Sequence, residues 1–421
     1  MHSQLTLTIL IYALTLPRPN LGARWAVLVA GSSGWWNYRH QADVSHAQKI
    51  LLKNGIPSDH IITMMYDDVA YNRQNPFPGK LFNDYTHTDV YEGITIDYRR
   101  EEVTPKNFLG VLLGDEELVL KGKKVLRSGP EDNVFIFFTD HGSEHLIAFP
   151  HGELYADTLI ETLNKMHSQN RYHNMVIYLE ACYSGSMFEG LLDKSIQIHA
   201  LTAANAHESS YATFCNDRKI SACLADEFSY QWMNVSVQED LERWTLNEEF
   251  RTVKKKVQHS HVTKYGDQSL DEKHLADFIG SSSAGTRGDL FMKPRHYVPA
   301  LDAVFVPIHR KMIGAETTAA IRLAELEFSL RIQRMKLVQD TFKYIEEASK
   351  TLKGGQILKP HQRTKMALVK CFHTIHETFT QRCFHTSTTP EVIPYLSRFT
   401  SMCENGLNPE DIVEIIREIC S

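Results

Sequence analysis

From Arg24 to about Gly280 the chain alternates short apolar runs with stretches whose apolar positions recur every three to four residues. Trp25–Ala30, Ile61–Met65, Val134–Phe138, Val176–Leu179 and Ile196–Thr202 are dominated by β-branched, aromatic and other apolar residues on successive positions. Strands of that kind need cover on both faces, as in a buried parallel sheet. Between them, residues 41–54 set Ala42, Ala47, Ile50 and Leu51 on one helical face. Thr104-Pro105 supplies an N-cap and a first-turn proline, and residues 155–167 and 224–233 read as further helices. This order predicts an α/β fold with a mostly parallel sheet.

Two of the runs stop at reactive side chains, one at Asp140-His141-Gly142 and the other at Glu180-Ala-Cys182. Open α/β sheets do their chemistry beyond the carboxyl ends of the strands. A thiol is a poor nucleophile until ionised, and a nearby imidazole promotes that ionisation. The pair reads as a cysteine hydrolase.

Residues 281–315 change character, with Ser281–Asp289 rich in Ser and Gly and then Lys293-Pro and Val298-Pro. This is linker composition. Beyond it Ile321, Leu323, Leu326, Leu330, Ile332, Met335 and Leu337 recur at near-helical spacing. They predict a small all-α domain over 316–421.

The whole chain has 421 residues, 43% hydrophobic and 23% charged, which suits two globular domains. A net charge of -6 and the lack of a basic groove speak against nucleic acid. No run of 18 apolar residues predicts a membrane span. Leu5–Leu16, followed by Pro17–Ala23, fits a signal peptide over residues 1–23 and hence a secreted or endo-lysosomal protein.

Seven cysteines leave one thiol over in an oxidising compartment. Cys215 and Cys223 read as a surface disulfide behind Asp226, and Cys371, Cys383, Cys403 and Cys420 group at the C-terminus, leaving Cys182. Asn234-Val-Ser236 is a glycosylation sequon. His-Glu-x-x-His and Cys-x-x-Cys are both absent, and no helix aligns His141 with His145, so neither a metal nor an organic cofactor is expected. Arg287-Gly-Asp289 is read as a chance tripeptide.

The segment Arg24–Asp43, with Asn37, Arg39 and His40, is followed by Met64–Tyr71, Asn75-Pro-Phe-Pro-Gly79, Asp140-His-Gly, Glu180-Ala-Cys182 and Glu208-Ser-Ser-Tyr211. In this order they resemble the legumain family of asparaginyl endopeptidases, and the likeness runs on to the four C-terminal cysteines. The resemblance implies a caspase-like three-layer α/β/α sandwich with a mostly parallel six-stranded sheet over 24–280. It also implies an inhibitory, death-domain-like helical prodomain with two disulfides. By it Cys182 is the nucleophile, His141 the general base or imidazolium partner and Asn37 the group that orients the imidazole. The backbone N–H groups of Gly142 and Cys182 would form the oxyanion hole.

The same resemblance places Arg39, His40, Glu180, Ser209, Ser210 and Asp226 in the S1 pocket. An arginine among acids suits a carboxamide, with one acceptor and one donor group, and admits aspartate only when it is protonated. Implied partners are peptide substrates with Asn at P1, the chain's own prodomain and cystatin-type inhibitors. Asp140 is either a succinimide former, as in relatives, or a carboxylate capping a strand end. A family transamidase or ligase acting on peptide or lipid-anchor signals, and a non-enzymatic secreted binding protein, are the alternatives.

Relatives mature by self-cleavage after Asn or Asp between the domains. No asparagine occurs here between Asn247 and Asn405, so Asp289 and Asp302 are the candidate sites, cut by the chain itself in acid or by another protease. Residues 305–365 carry 12 Lys and Arg against 6 Asp and Glu. They are expected to lie over an acidic S1 mouth as a latch that acid loosens.

Overall fold

The computed structural model describes residues 22–281, 291–315, 317–350, 352 and 364–421. Most of the expected leader and Asp289 lie outside these residues. The strands are β1 (Arg24–Ala30), β2 (Ile61–Met65), β3 (Asn133–Thr139), β4 (Gly142–Ser143), β5 (Leu146–Ala148), β6 (Glu153–Tyr155) and β7 (Asn174–Glu180). They continue as β8 (Ile198–Thr202), β9 (Tyr211–Thr213), β10 (Ala225–Asp226), β11 (Thr263–Gly266) and β12 (Val298–Pro299). The helices of the α/β part are α1 (Tyr38–Lys53), α2 (Pro105–Leu113), α3 (Glu116–Leu120), α4 (Ala156–Ser168), α5 (Glu227–Gln238), α6 (Leu246–Lys256) and α7 (Ala276–Ile279). The helical part holds α8 (Phe305–Gly314), α9 (Thr318–Ser349), α10 (Lys365–Arg382), α11 (Ser397–Glu404) and α12 (Pro409–Ile419).

The main sheet runs in the order β11-β8-β7-β3-β1-β2, parallel throughout except for β11. Its strands are apolar on both faces because each face meets a helical layer. Val27, Val29, Ile136, Phe138 and Ile177 join Phe108, Leu159 and Leu163 of α2 and α4 on one side. Ala26, Leu28, Phe135, Phe137 and Val176 join Val44, Leu51, Trp232 and Val253 of α1, α5 and α6 on the other. The result is the expected mostly parallel three-layer α/β/α sandwich.

A second sheet, β10-β9-β12, and a third, β4-β5-β6, flank the carboxyl end of the first. The helical part packs on the third: Leu146 and Tyr155 share a core with Phe372, Ile375, Phe379, Val392 and Ile416.

Several sequence expectations change here. The helix expected from Leu224 starts at Glu227, because Ala225 and Asp226 pair with Thr213 and Ala212 instead. The described part of the 281–315 segment is folded rather than a tether: Phe291 stacks on His46 at 5.2 Å, Val298 pairs with Ala212, and α8 begins at Phe305. Pro299 is tolerated because β12 is an edge strand, where a missing N–H costs nothing.

Helix α9 forms, yet Leu323, Leu326, Leu330 and Leu337 are exposed on it. Its buried residues gather from Val338 onward, with Ala324 the exception, because the earlier half reaches beyond the bundle. Asn234 is not a surface acceptor: it lies inside α5, 8% exposed, with its Oδ1 buried. A glycan there would have to displace the packing of that helix. Cys215 pairs with Cys223 as expected, but the bridge is buried rather than on the surface. Cys371 pairs with Cys403 and Cys383 with Cys420, while Cys182 is free.

Candidate active site

Strands β3 and β7 are neighbours in register, with Thr139 opposite Glu180. Two residues further along each chain come His141 and Cys182, so parallel pairing alone delivers the imidazole and the thiol to one edge. The approach is close. A Cβ on Gly142 would lie 2.5 Å from the carbonyl oxygen of Cys182, so position 142 accepts no side chain.

Asn37, on the turn after β1, donates from Nδ2 to the carbonyl of Ser33 at 2.9 Å. Its Oδ1 is thereby aimed at His141 Nε2, 2.8 Å away, which fixes the proton on Nε2. His141 Nδ1 is left buried with no protein partner, free for a proton from the thiol side. The Trp36 indole stacks on the ring at 4.7 Å and holds its plane. Cys182 Sγ lies 3.1 Å from Ser209 Oγ and 3.8 Å from Ser210 Oγ. Burial raises the thiol pKa, with the two serines opposing. Burial, then the Arg39 charge, holds His141 well below the usual histidine range. In this covered state the pair is therefore neutral thiol and neutral imidazole.

Behind them lies the group expected at S1. Arg39, fully buried on α1, donates from Nε to Asp226 Oδ1 at 2.8 Å. His40 meets Ser32 Oγ at 2.6 Å and lies 3.4 Å from both Asp140 and Asp226. Glu180 Oε2 accepts from the backbone N and Oγ of Ser229, while Oε1 is buried without a protein partner. Burial raises Asp140, Glu180 and Asp226 alike.

The sequence reading missed three members of this group. Asp43, one helical turn after Arg39, accepts from the backbone N of Asp226 at 3.1 Å. Burial and the neighbouring Asp226 charge raise its pKa. Ser229 seats Glu180, and Ser32 holds His40. Asp43 was signalled by its four-residue spacing from Arg39 on an inward helical face; the two serines left no signal. His40, Asp140 and His141 bring three donor atoms within 4.8 Å of one another, a set that could hold a divalent cation. The engagement of His141 with Asn37 accounts for its placement without one.

Strand β12 runs antiparallel along β9, and the ladder continues as the backbone N of Ala300 donates to the carbonyl of Ser210 at 2.9 Å. The Ala300 carbonyl accepts from Arg39 Nη2 at 3.4 Å. The chain's own residues 298–300 thus lie extended between the serines beside Cys182 and the buried arginine. On the other side, Ser143 donates to the carbonyl of Ile393.

The Peptidase C13 family pattern matches residues 24–281, the whole α/β part. The chain belongs to this family. As a C13 cysteine endopeptidase it has protein or peptide substrates, and among the described residues no helix is long and apolar enough to cross a membrane. It is 43% identical to the hemoglobinase of Schistosoma japonicum over 400 residues, covering 94% of this chain and 93% of that one. It is 38% identical to human legumain, covering 91% and 89%. It is 36% identical to the vacuolar-processing enzyme delta-isozyme of Arabidopsis thaliana, covering 95% and 91%. The solved caspase-1 of Spodoptera frugiperda overlaps 63% of this chain and 92% of its own, at 7% identity and a TM-score of 0.38, too slight a likeness to carry an argument.

The electrostatic latch expected over S1 takes another form. The buried acids are paired inward, with Arg39 and Ser229. The charged contacts between the two parts include Lys370–Glu161 and His373–Asp157, from outside the basic 305–365 segment. Within that segment Arg310 reaches Asn216 Oδ1 and the carbonyl of Asp217.

Proposed function

We propose that the chain is the latent form of an endo-lysosomal endopeptidase that cuts after asparagine, and after aspartate in acid. The observation that carries this reading is the orphan acceptor Oε1 of Glu180, buried within reach of the charge of Asp226, which in turn holds Arg39. An asparagine side chain answers it: its NH2 donates to the carboxylate and its carbonyl accepts from the guanidinium. An ionised aspartate would face like charge, whereas a protonated one imitates the amide. In the reaction the Cys182 thiolate attacks the carbonyl after that residue and the N–H groups of Gly142 and Cys182 receive the oxyanion. His141 returns the proton to the leaving amine. Water then hydrolyses the thioester, and an amine in its place gives ligation. Fluorogenic Ala-Ala-Asn peptide should be turned over about 10^2-fold or more better than its Gln counterpart, because the longer side chain misplaces the buried pairs. The Asp counterpart should respond only in acid. Equal rates for Asn and Gln would sink the reading.

Latency rests on β12 and the helical part. Residues 298–300 occupy the strand position that an extended substrate would take on the edge of β9. Ala300 then sits where the cleaved residue belongs, with a methyl that S1 does not recognise. Ala300→Asn should turn this plug into a substrate cut after residue 300 in acid, visible by intact mass and absent when Cys182→Ala is added. A double-checked lack of cleavage with Cys182 present would remove β12 from the substrate channel. The native cut is placed at exposed Asp302, two residues on, or at Asp289.

Acid opens the interface between the parts through two buried histidines. His376 bonds Tyr155 Oη and Thr386 Oγ1, and burial lowers its pKa to about 3. His145, with its N–H and ring on Ser186 and its edge on Phe372, is lowered to about 4 by burial and Lys365. Histidines held low stay neutral while docked and gain protons once released. Docking therefore weakens as pH falls from about 6.5 towards 4, by about 2 kcal/mol for each at pH 5. Asp157, lowered chiefly by His373, keeps its pairing through the same window and opposes release. Buried Glu153, which accepts from Thr380, is raised and so favours docking slightly in acid. His376→Gln should keep the two parts associated about one pH unit further into acid, read by protease accessibility of Ser143 and its neighbours; an unchanged midpoint would discount His376.

A further inference from the structure

The β10-β9-β12 sheet has three strands only while the chain's own residues 298–299 fill its edge. If a substrate is to pair with β9, β12 must leave, and a ribbon of two residue pairs remains: Ala225 with Thr213 and Asp226 with Ala212. Two short strands are marginal by themselves. Yet the open end of this ribbon carries Asp226, which holds Arg39, and is where β9 continues from Ser209 and Ser210 beside Cys182.

The departing segment also covers one face of the ribbon. Ala212, Cys215 and Cys223 form a small cluster with Ala303, Val298 and Val306. Arg310 of α8 holds the turn through Asn216 and Asp217. All of these contacts go when residues 298–310 go. Phe214 and Leu224 stay buried on the opposite face, and His87 keeps Asp217, but the latter fixes the tip of the turn rather than the pairs at its base. Continuing the register two residues outward from Thr213–Ala225 brings Cys215 opposite Cys223, and there the chain is covalently closed. A slip of one residue would turn Asp226 to the wrong face, and the bridge forbids it.

We propose that the Cys215–Cys223 disulfide is a positioning clamp that keeps the substrate edge in register while β12 is exchanged for substrate, and that its reduction by a thiol weakens peptide binding. The inference rests on the reading of β12 as holder of the substrate's place. The step is thiol–disulfide exchange: one dithiol, or two monothiols, is oxidised to a disulfide as Cys215 and Cys223 become two thiols. Cys182 is reduced on both sides of the comparison, so the clamp and the nucleophile respond to reductant in separable ways.

The test uses full-length protein activated in acid, kept in glutathione so that Cys182 stays reduced, and then treated with a strong dithiol. Alkylation and mass analysis report whether the Cys215–Cys223 bridge is open. If opening leaves about a tenth of molecules with an aligned edge, KM for the Ala-Ala-Asn peptide rises about tenfold with kcat within about twofold, and reoxidation restores it. The double variant Cys215→Ser, Cys223→Ser should show the raised KM with or without dithiol, which separates this bridge from the two in the helical part. Unchanged KM with the bridge shown open overturns the clamp, as does a fall in kcat alone. Absence of any Asn-peptide turnover before reduction counts against the asparaginyl reading instead.

Discussion

Cys182→Ala should fold as the parent does and lose turnover of asparaginyl peptides by at least about 10^4-fold in kcat. The first half follows from the packing. The thiol is fully buried, and its polar neighbours are not orphaned by its loss, since Ser209 Oγ already donates to the carbonyl of Ser210 at 3.0 Å. The cavity left is one sulfur in size, a cost of about 1 kcal/mol. The second half follows from chemistry, because a water replacing the sulfur has no covalent intermediate to form and the Asn37–His141 pair no thiol to serve. Circular dichroism and melting establish the fold, and initial rates with titrated parent enzyme establish the loss. Residual turnover above about 1% would show that another group carries the reaction.

The second large effect is at Arg39. Arg39→Ala removes the one guanidinium bonded to Asp226 and leaves Asp43, Asp226 and Glu180 together in the interior. Breaking a buried pair from one side costs about 3–5 kcal/mol. The deficit has a pH signature. The three acids are already raised, so the native state binds protons that the unfolded chain, with ordinary carboxyls, does not. Without the cation they rise further, and stability recovers as pH falls from neutral towards the ordinary carboxylate range near 4. Melting at pH 7.5 should therefore show a larger gap from the parent than melting at pH 5. Asparagine specificity should fall together with rate, because the amide carbonyl loses its donor. Arg39→Lys should restore charge but little selectivity, lacking the fork that reaches Asp226 and a ligand at once. A pH-independent gap would place the acids elsewhere in the energetics.

Much of this was legible in the chain, for physical reasons. Strands buried on both faces have to be continuously apolar, so β1, β3 and β7 announced themselves, and a histidine and a cysteine two residues past such strands could only emerge at their carboxyl edge. Arg39 and Asp226 were less visible, since nothing in either segment says that 187 residues of chain close on a 2.8 Å contact. Strand β12 was hidden because edge pairing is decided by the free side of β9, far away in sequence, and Val-Pro composition speaks only for a break. The sequon at Asn234 states a glycosylation consensus, not the burial of α5. Leucine spacing predicted α9 but could not say that its first half would outrun the bundle.

The tight fit at Gly142 sets a rule for anyone reshaping this scaffold. Saturation libraries that include that codon spend nearly all of their diversity on dead clones, because even an alanine would drive its methyl into the carbonyl oxygen of residue 182. New specificities are better sought at Tyr211, half-buried beside His259, because Ser209 and Ser210 themselves touch the sulfur of residue 182.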